Sequence, residues 1–131
     1  MAVFVDTGAW YAASVPGDSD HPAAVAFMRL NTEPLVTSDY IYDELLTLFR
    51  ARGHTDRAKD WVTQVQQGRC DVVRLMRSDL RKATDVFFHF ADKDWSFTDC
   101  TSRVVMERLG IQRAFAFDDH FRQFGTVTVV P

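Results

Sequence analysis

Four carboxylates, Asp6, Glu44, Asp99 and Asp118, lie far apart in this 131-residue sequence, yet each occurs where a turn or a helix start is expected. Asp6 ends the apolar run Ala2-Val3-Phe4-Val5 and precedes Thr7-Gly8. Asp99 closes the tetrad Ser96-Phe97-Thr98-Asp99, and Asp118 follows Ala114-Phe115-Ala116-Phe117 and precedes Asp119-His120. Glu44 stands four residues after Tyr40 and four before Leu48, a spacing that puts all three on one side of a helix. Each acid has an ordinary explanation. Asp6 can cap a helix, Asp99 can form a capping box with Ser96, and Asp118 and Asp119 can be acids at the start of a short helix. Glu44 is harder to explain this way, because a carboxylate beside an apolar stripe is costly unless something positive meets it. If the four converge, they cannot all stay ionised without a cation, since mutual repulsion raises their pKa values. No cysteine or histidine is spaced for zinc, so an all-oxygen set favours Mg²⁺, with Mn²⁺ as the alternative. A divalent ion held by acids against a phosphate supplies an activated water and neutralises developing charge, so the reaction class implied is phosphodiester hydrolysis.

The elements that must position these acids are legible in outline. Residues 2–5 read as a buried strand, and helical periodicity follows over 10–13 and 22–30. A second strand fits 34–37, and Ser38 then caps a helix that Gly53 closes. A helix over 56–67, a strand over 71–76, a helix capped by Ser78 and reaching about residue 90, and a helix from Ser96 to Gly110 come next. A fourth strand delivers Asp118 directly, and 126–130 form a fifth. Strands alternating with helices predict a parallel sheet covered on both faces, because a parallel neighbour needs a crossover long enough to hold a helix. Ligands of such sheets bind beyond the carboxyl ends of the strands, and the reading sends all four acids to that rim.

The length suits a single domain spanning residues 1–131. Apolar residues at 47% and charged residues at 25% are ordinary for a soluble protein, and no apolar run approaches the ~18 residues of a membrane span. The start of the chain lacks the pattern of a signal peptide, so a cytoplasmic location is expected, with Cys70 and Cys100 as buried thiols. A net charge of −3 speaks against a nucleic-acid partner, but the average hides an asymmetry. Between Arg50 and Lys82 nine Lys or Arg face four Asp, leaving that segment at +5 and the remainder at −8. This is either a set of solvated helix faces or a docking region for a polyanion. The three tryptophans read as core or interface, and His120, beside the fourth acid, as structural.

The stretches VFVDTGAWYA, SDYIYDELLTL, WSFTDCTSRVVMERLGI and AFAFDDHFRQFG resemble, in order and spacing, the successive motifs of PIN-domain ribonucleases, and specifically the VapC-type toxins of bacterial type II toxin–antitoxin (VapBC) pairs. The resemblance spans almost the whole chain. It implies a three-layer α/β/α fold with a central five-stranded parallel sheet in the order 3-2-1-4-5. It also implies Mg²⁺- or Mn²⁺-dependent endonucleolytic cleavage of RNA. In-line attack on the phosphate by a water that the four acids' metal activates would leave a 5′-phosphate and a 3′-hydroxyl. The family's acids fall on Asp6, Glu44, Asp99 and Asp118 as catalytic and metal-binding residues, with Asp119 as a variable position. Thr7 is expected to bind a water on the metal, and Thr98 to support the helix start. The partners implied are an RNA substrate and a cognate antitoxin, with homodimers common. A housekeeping nuclease and a non-catalytic PIN domain that binds RNA or protein remain alternatives. A phosphatase of the aspartate type would want a second aspartate where this chain has Gly8.

Overall fold

The computed structural model describes residues 1–131. Five short strands form one parallel sheet: β1 (Val3–Val5), β2 (Leu35–Ser38), β3 (Asp71–Val73), β4 (Arg113–Phe115) and β5 (Thr128–Val130), in the spatial order β3-β2-β1-β4-β5. β1 is central and fully buried, as its unbroken apolar run requires of a strand covered on both faces. Val3 pairs with Leu35 on one side and with Arg113 on the other. The chain steps from β1 to β2 to β3 through α1 (Thr7–Ser14), α2 (His21–Leu30), α3 (Asp39–Ala51) and α4 (Thr55–Gln66). It then crosses back through α5 (Arg77–His89) and α6 (Phe97–Leu109) to β4, and through the short α7 (His120–Gln123) to β5. Because crossovers are right-handed, steps in opposite directions place their helices on opposite faces, which yields the α/β/α layers.

Side-chain contacts agree with this division. Phe4 stacks on Phe121 of α7 with ring centroids 6.3 Å apart, while Phe115, whose register partner is Val5, lies 4.3 Å from Phe27 of α2. Neighbouring positions along a strand point to opposite faces, so the sheet feeds one connected core of 27 buried residues from both sides. Trp10, Trp61 and Trp95 all belong to it, Trp10 meeting Trp61 edge-on at 5.5 Å.

Local signals set several boundaries as expected. Ser38 caps α3, its Oγ accepting from the Ile41 N–H at 3.2 Å, and Gly110 ends α6 at φ +68°. Five elements differ at a boundary. α1 begins at Thr7, immediately after Asp6, rather than at Trp10. β3 and β5 are each three residues long, shorter than their apolar runs. β4 ends at Phe115, so Ala116 and Phe117 carry the chain out of the sheet before Asp118, although the Ala116 N–H still reaches the Val130 carbonyl at 3.2 Å. Finally, α5 is capped not by Ser78 but at Met76, whose N–H donates to Asp79 Oδ2 at 2.8 Å. Asp79 is held there from outside its own helix, by the guanidinium of Arg108 at the far end of α6.

Candidate active site

The connections diverge on either side of β1 and β4: the chain leaves β1 toward β2 and leaves β4 toward β5. A crevice opens at the carboxyl ends of strands at such a point. The Asp6 N–H donates to the Phe115 carbonyl at 3.0 Å, tying the end of β1 to the last residue of β4 at this crevice. Asp6 occupies the N-cap position of α1 but its side chain makes no capping hydrogen bond. The helix-cap explanation therefore fails, and a carboxylate only 4% exposed is left with no role in the helix.

Its environment is unfavourable to charge. Burial, and then the negative charges of Asp118, Asp99 and Glu44, push the Asp6 carboxyl well above the ordinary carboxylate range. The acids that act on Asp6 come from separate elements: Asp99 and Asp118 have oxygens within 4.8 Å of each other, and Glu44 is hydrogen-bonded to Thr7, the residue next to Asp6. Glu44 comes from the second turn of α3 and accepts from Thr7 Oγ1 at 2.5 Å. Thr7 thus orients a carboxylate directly. Were Glu44 to bind a metal, Thr7→Val should lower any cleavage by about 10- to 100-fold, the usual cost of losing a partner of such a group. Thr7→Ser, assayed beside it, should keep most of the rate; equal rates for Val and Ser would show the hydroxyl to be dispensable.

Asp99 serves two purposes. Ser96 Oγ accepts from the Asp99 N–H at 3.0 Å, and Asp99 Oδ2 accepts from the Ser96 N–H at 3.0 Å, a reciprocal cap that starts α6. The same Oδ2 lies 2.7 Å from His120 Nδ1, and burial lifts this carboxyl above its ordinary range despite those donors. Thr98 contributes its carbonyl, which accepts from Thr101 Oγ1 at 2.6 Å, consistent with a role in the helix start. Asp118 stands in the bend after β4, with Oδ1 accepting from the His120 N–H at 3.1 Å. Asp119 faces solvent and pairs with Arg122 at 3.4 Å, away from this cluster.

His120 is the residue that sequence reasoning undervalued. Ligand atoms of Asp99, Asp118 and His120 all lie within 4.8 Å of one another. Its position two residues after Asp118 was visible in the sequence, but its partner Asp99 lies 21 residues earlier. The donor set suits a hard divalent cation: carboxylate oxygens, several without a hydrogen-bond partner, around a buried acid whose ionisation the protein alone disfavours. A cation here would offset the repulsion that raises Asp6. The cavity of about 390 Å³ bounded by Trp10, Trp61, Arg57 and Arg69 lies elsewhere, since it includes Leu35 and Cys70 at the amino ends of β2 and β3.

Fold and site together define a class: residues 3–127 match the PIN domain family, and the chain belongs to it. Among individual proteins, the chain is similar to the 23S rRNA-specific endonuclease VapC20 of Mycobacterium tuberculosis, in strains CDC 1551 / Oshkosh and ATCC 25618 / H37Rv, at 33% identity covering 98% of both chains. The crystal structure of M. tuberculosis VapC20, described as a sarcin-ricin loop cleaving toxin, superposes with a TM-score of 0.92 at 29% identity, covering 98% of this chain and 99% of that one. No helix is long and apolar enough to cross a membrane.

Proposed function

We propose that this chain, a single PIN domain over residues 1–131, is a divalent-metal-dependent endoribonuclease of the VapC type, the toxin of a toxin–antitoxin pair. The observation that carries the reading is the convergence of Asp6, Glu44, Asp99 and Asp118 at the crevice between β1 and β4. Similarity over the whole chain to a 23S rRNA-specific endonuclease supports the substrate class and makes that RNA the first to test. Asp6 and Asp99 hold the cation, Mg²⁺ or Mn²⁺ by the chemistry of the oxygen set, and Glu44 and Asp118 complete the site directly or through water. When bound, the ion activates water and neutralises charge on the phosphoryl oxygens. The chain's own residues do the positioning: Thr7 orients Glu44, the α6 cap orients Asp99, and the bend after β4 sets Asp118. A cognate antitoxin and a homodimer are the partners we infer, in a cytoplasmic setting where both RNA and antitoxin are available.

The test uses purified chain stripped with a chelator and incubated with 23S rRNA. We expect no cleavage without added ion and site-specific cleavage on adding Mg²⁺ or Mn²⁺, with 5′-phosphate ends. Cleavage that persists undiminished in chelator would overturn the metal assignment. Intact RNA under every ion, from a folded protein, would point instead to a binding domain.

A further inference from the structure

We propose that His120 is a positioning residue of the acidic centre: its Nδ1–H, donating to Asp99 Oδ2, fixes that carboxylate so that Oδ1 is the oxygen presented to the cation. This rests on the metal-centre reading above. The neighbourhood of Asp99, Asp118 and His120 allows two uses of the ring, as a ligand or as a donor. The 2.7 Å separation assigns Nδ1 to the donor use: two bare acceptors repel at that distance, and with Asp99 ionised the proton between Nδ1 and Oδ2 is carried by the nitrogen. That nitrogen has no lone pair left for a metal, so ligation by the ring could come only from Nε2, which imidazole ¹⁴N coupling would reveal.

The consequences for Asp99 follow by counting donors. Oδ2 takes one hydrogen bond from the Ser96 N–H and one from His120, which occupy its two lone pairs. Oδ1 takes none, so it is the oxygen free to bind. His120 also acts through its backbone: its N–H engages Asp118 Oδ1, while Asp118 Oδ2 lies 3.9 Å from Nδ1, beyond hydrogen-bond reach, and stays free. One residue thus selects the free oxygen on both acids. The next residue holds it in place: Phe121 is fully buried, 6.3 Å from the Phe4 ring and 4.8 Å from Phe124. Partners of this kind fix ligand orientation, and their loss lowers metal affinity by about 10- to 100-fold.

The experiment titrates the full chain with Mn²⁺ by electron paramagnetic resonance, with spin-echo modulation to detect ¹⁴N coupling, and melting curves to verify folding. The wild type should bind Mn²⁺ without imidazole ¹⁴N coupling, whereas failure to bind at all would remove the metal centre itself. His120→Ala should bind about 10- to 100-fold more weakly while remaining folded. His120→Asn, whose Nδ2 can take over the donor position, should restore most of that affinity. Imidazole coupling in the wild type would overturn the proposal in favour of direct ligation. Wild-type affinity in His120→Ala, or equal weakening in a folded His120→Asn, would overturn it as well.

Discussion

Replacing Asp6 with Asn should give a protein that melts higher than the parent without metal, yet cleaves RNA slower by more than about 100-fold, since losing even an outer partner of a metal ligand costs ~10- to 100-fold. Both effects have one origin. The Asp6 carboxyl is buried among three other acids and makes no cap bond, so the folded chain tolerates its charge poorly. Asn has nearly the same shape and no charge. Each ~1 kcal/mol gained should raise the melting midpoint by about 3–5 °C in a chain of this size. The pH dependence has a definite sign. The folded Asp6 titrates above its unfolded value, so in strong acid, where both states are protonated, the destabilisation is absent. It grows as pH rises past the unfolded value of about 4 and is complete once the folded value is passed. The stability gap between Asp6→Asn and the parent, measured without metal, should therefore widen from about pH 4 upward. Saturating Mg²⁺ or Mn²⁺ should narrow it by stabilising the parent selectively. A mutant that melts below the parent at neutral pH without metal would contradict this account.

The second large effect lies away from the acidic rim. Asp79→Asn should lower unfolding free energy by about 3 kcal/mol in urea denaturation, because it leaves a buried guanidinium contact broken. The Asp79 side chain is 2% exposed, and Arg108 Nε and Nη2 grip its two oxygens at 2.9 Å each. Arg108 is itself 30% exposed, so the lower end of the usual range for buried pairs applies. Burial alone would raise the Asp79 carboxyl, but the Arg108 hydrogen bonds, the Met76 N–H and the charges of Arg108 and Lys82 outweigh it and hold it below its ordinary range. A depressed carboxyl contributes stability that is present above the unfolded value of about 4 and lost as pH falls through the folded one. The deficit of Asp79→Asn relative to the parent should therefore shrink in acid. Joint replacement by Asp79→Leu and Arg108→Met should cost far less than either alone, because neither partner is then left buried without the other. Double-mutant melts that simply add would show that the pair is not coupled.

These two acids also mark what a single sequence can disclose. Asp6 and Asp99 were legible because their signals are local: an apolar run that stops at an acid, and a Ser-x-x-Asp tetrad before a helical stripe. The Ser38 cap and the Gly110 stop were legible for the same reason. Asp79 was not, since what fixes the start of α5 is Arg108, 29 residues later, and Ser78 was the better cap by propensity alone. The early start of α1 is a similar override, with Gly8 accepted into a first turn that residue propensity disfavours. β4 stops before Phe117 although the apolar pattern continues, because the run meets a bend that periodicity cannot register. The strand order came with the family resemblance and not from periodicity. The basic stretch from Arg50 to Lys82 is divided among neighbouring recesses: Arg57 and Arg69 line one cavity, Arg52 and Arg57 line a second, and Arg50 and Lys59 line the groove between α3 and α4. Counting charges along the chain could not foresee that grouping.

The double service of Asp99 carries a further consequence. Its Oδ2 bond to the Ser96 N–H is part of the cap that starts α6, so on the proposed reading loading the site and starting the helix would draw on one carboxylate. An ion on the other oxygen would hold the group still and draw electron density from the cap, and so would change how often that first turn opens. Amide exchange at Ser96 and Asp99 should report occupancy of the centre from the backbone itself, with no substrate present. An Asp99→Ala protein would then show fraying of α6 that no added ion could reverse.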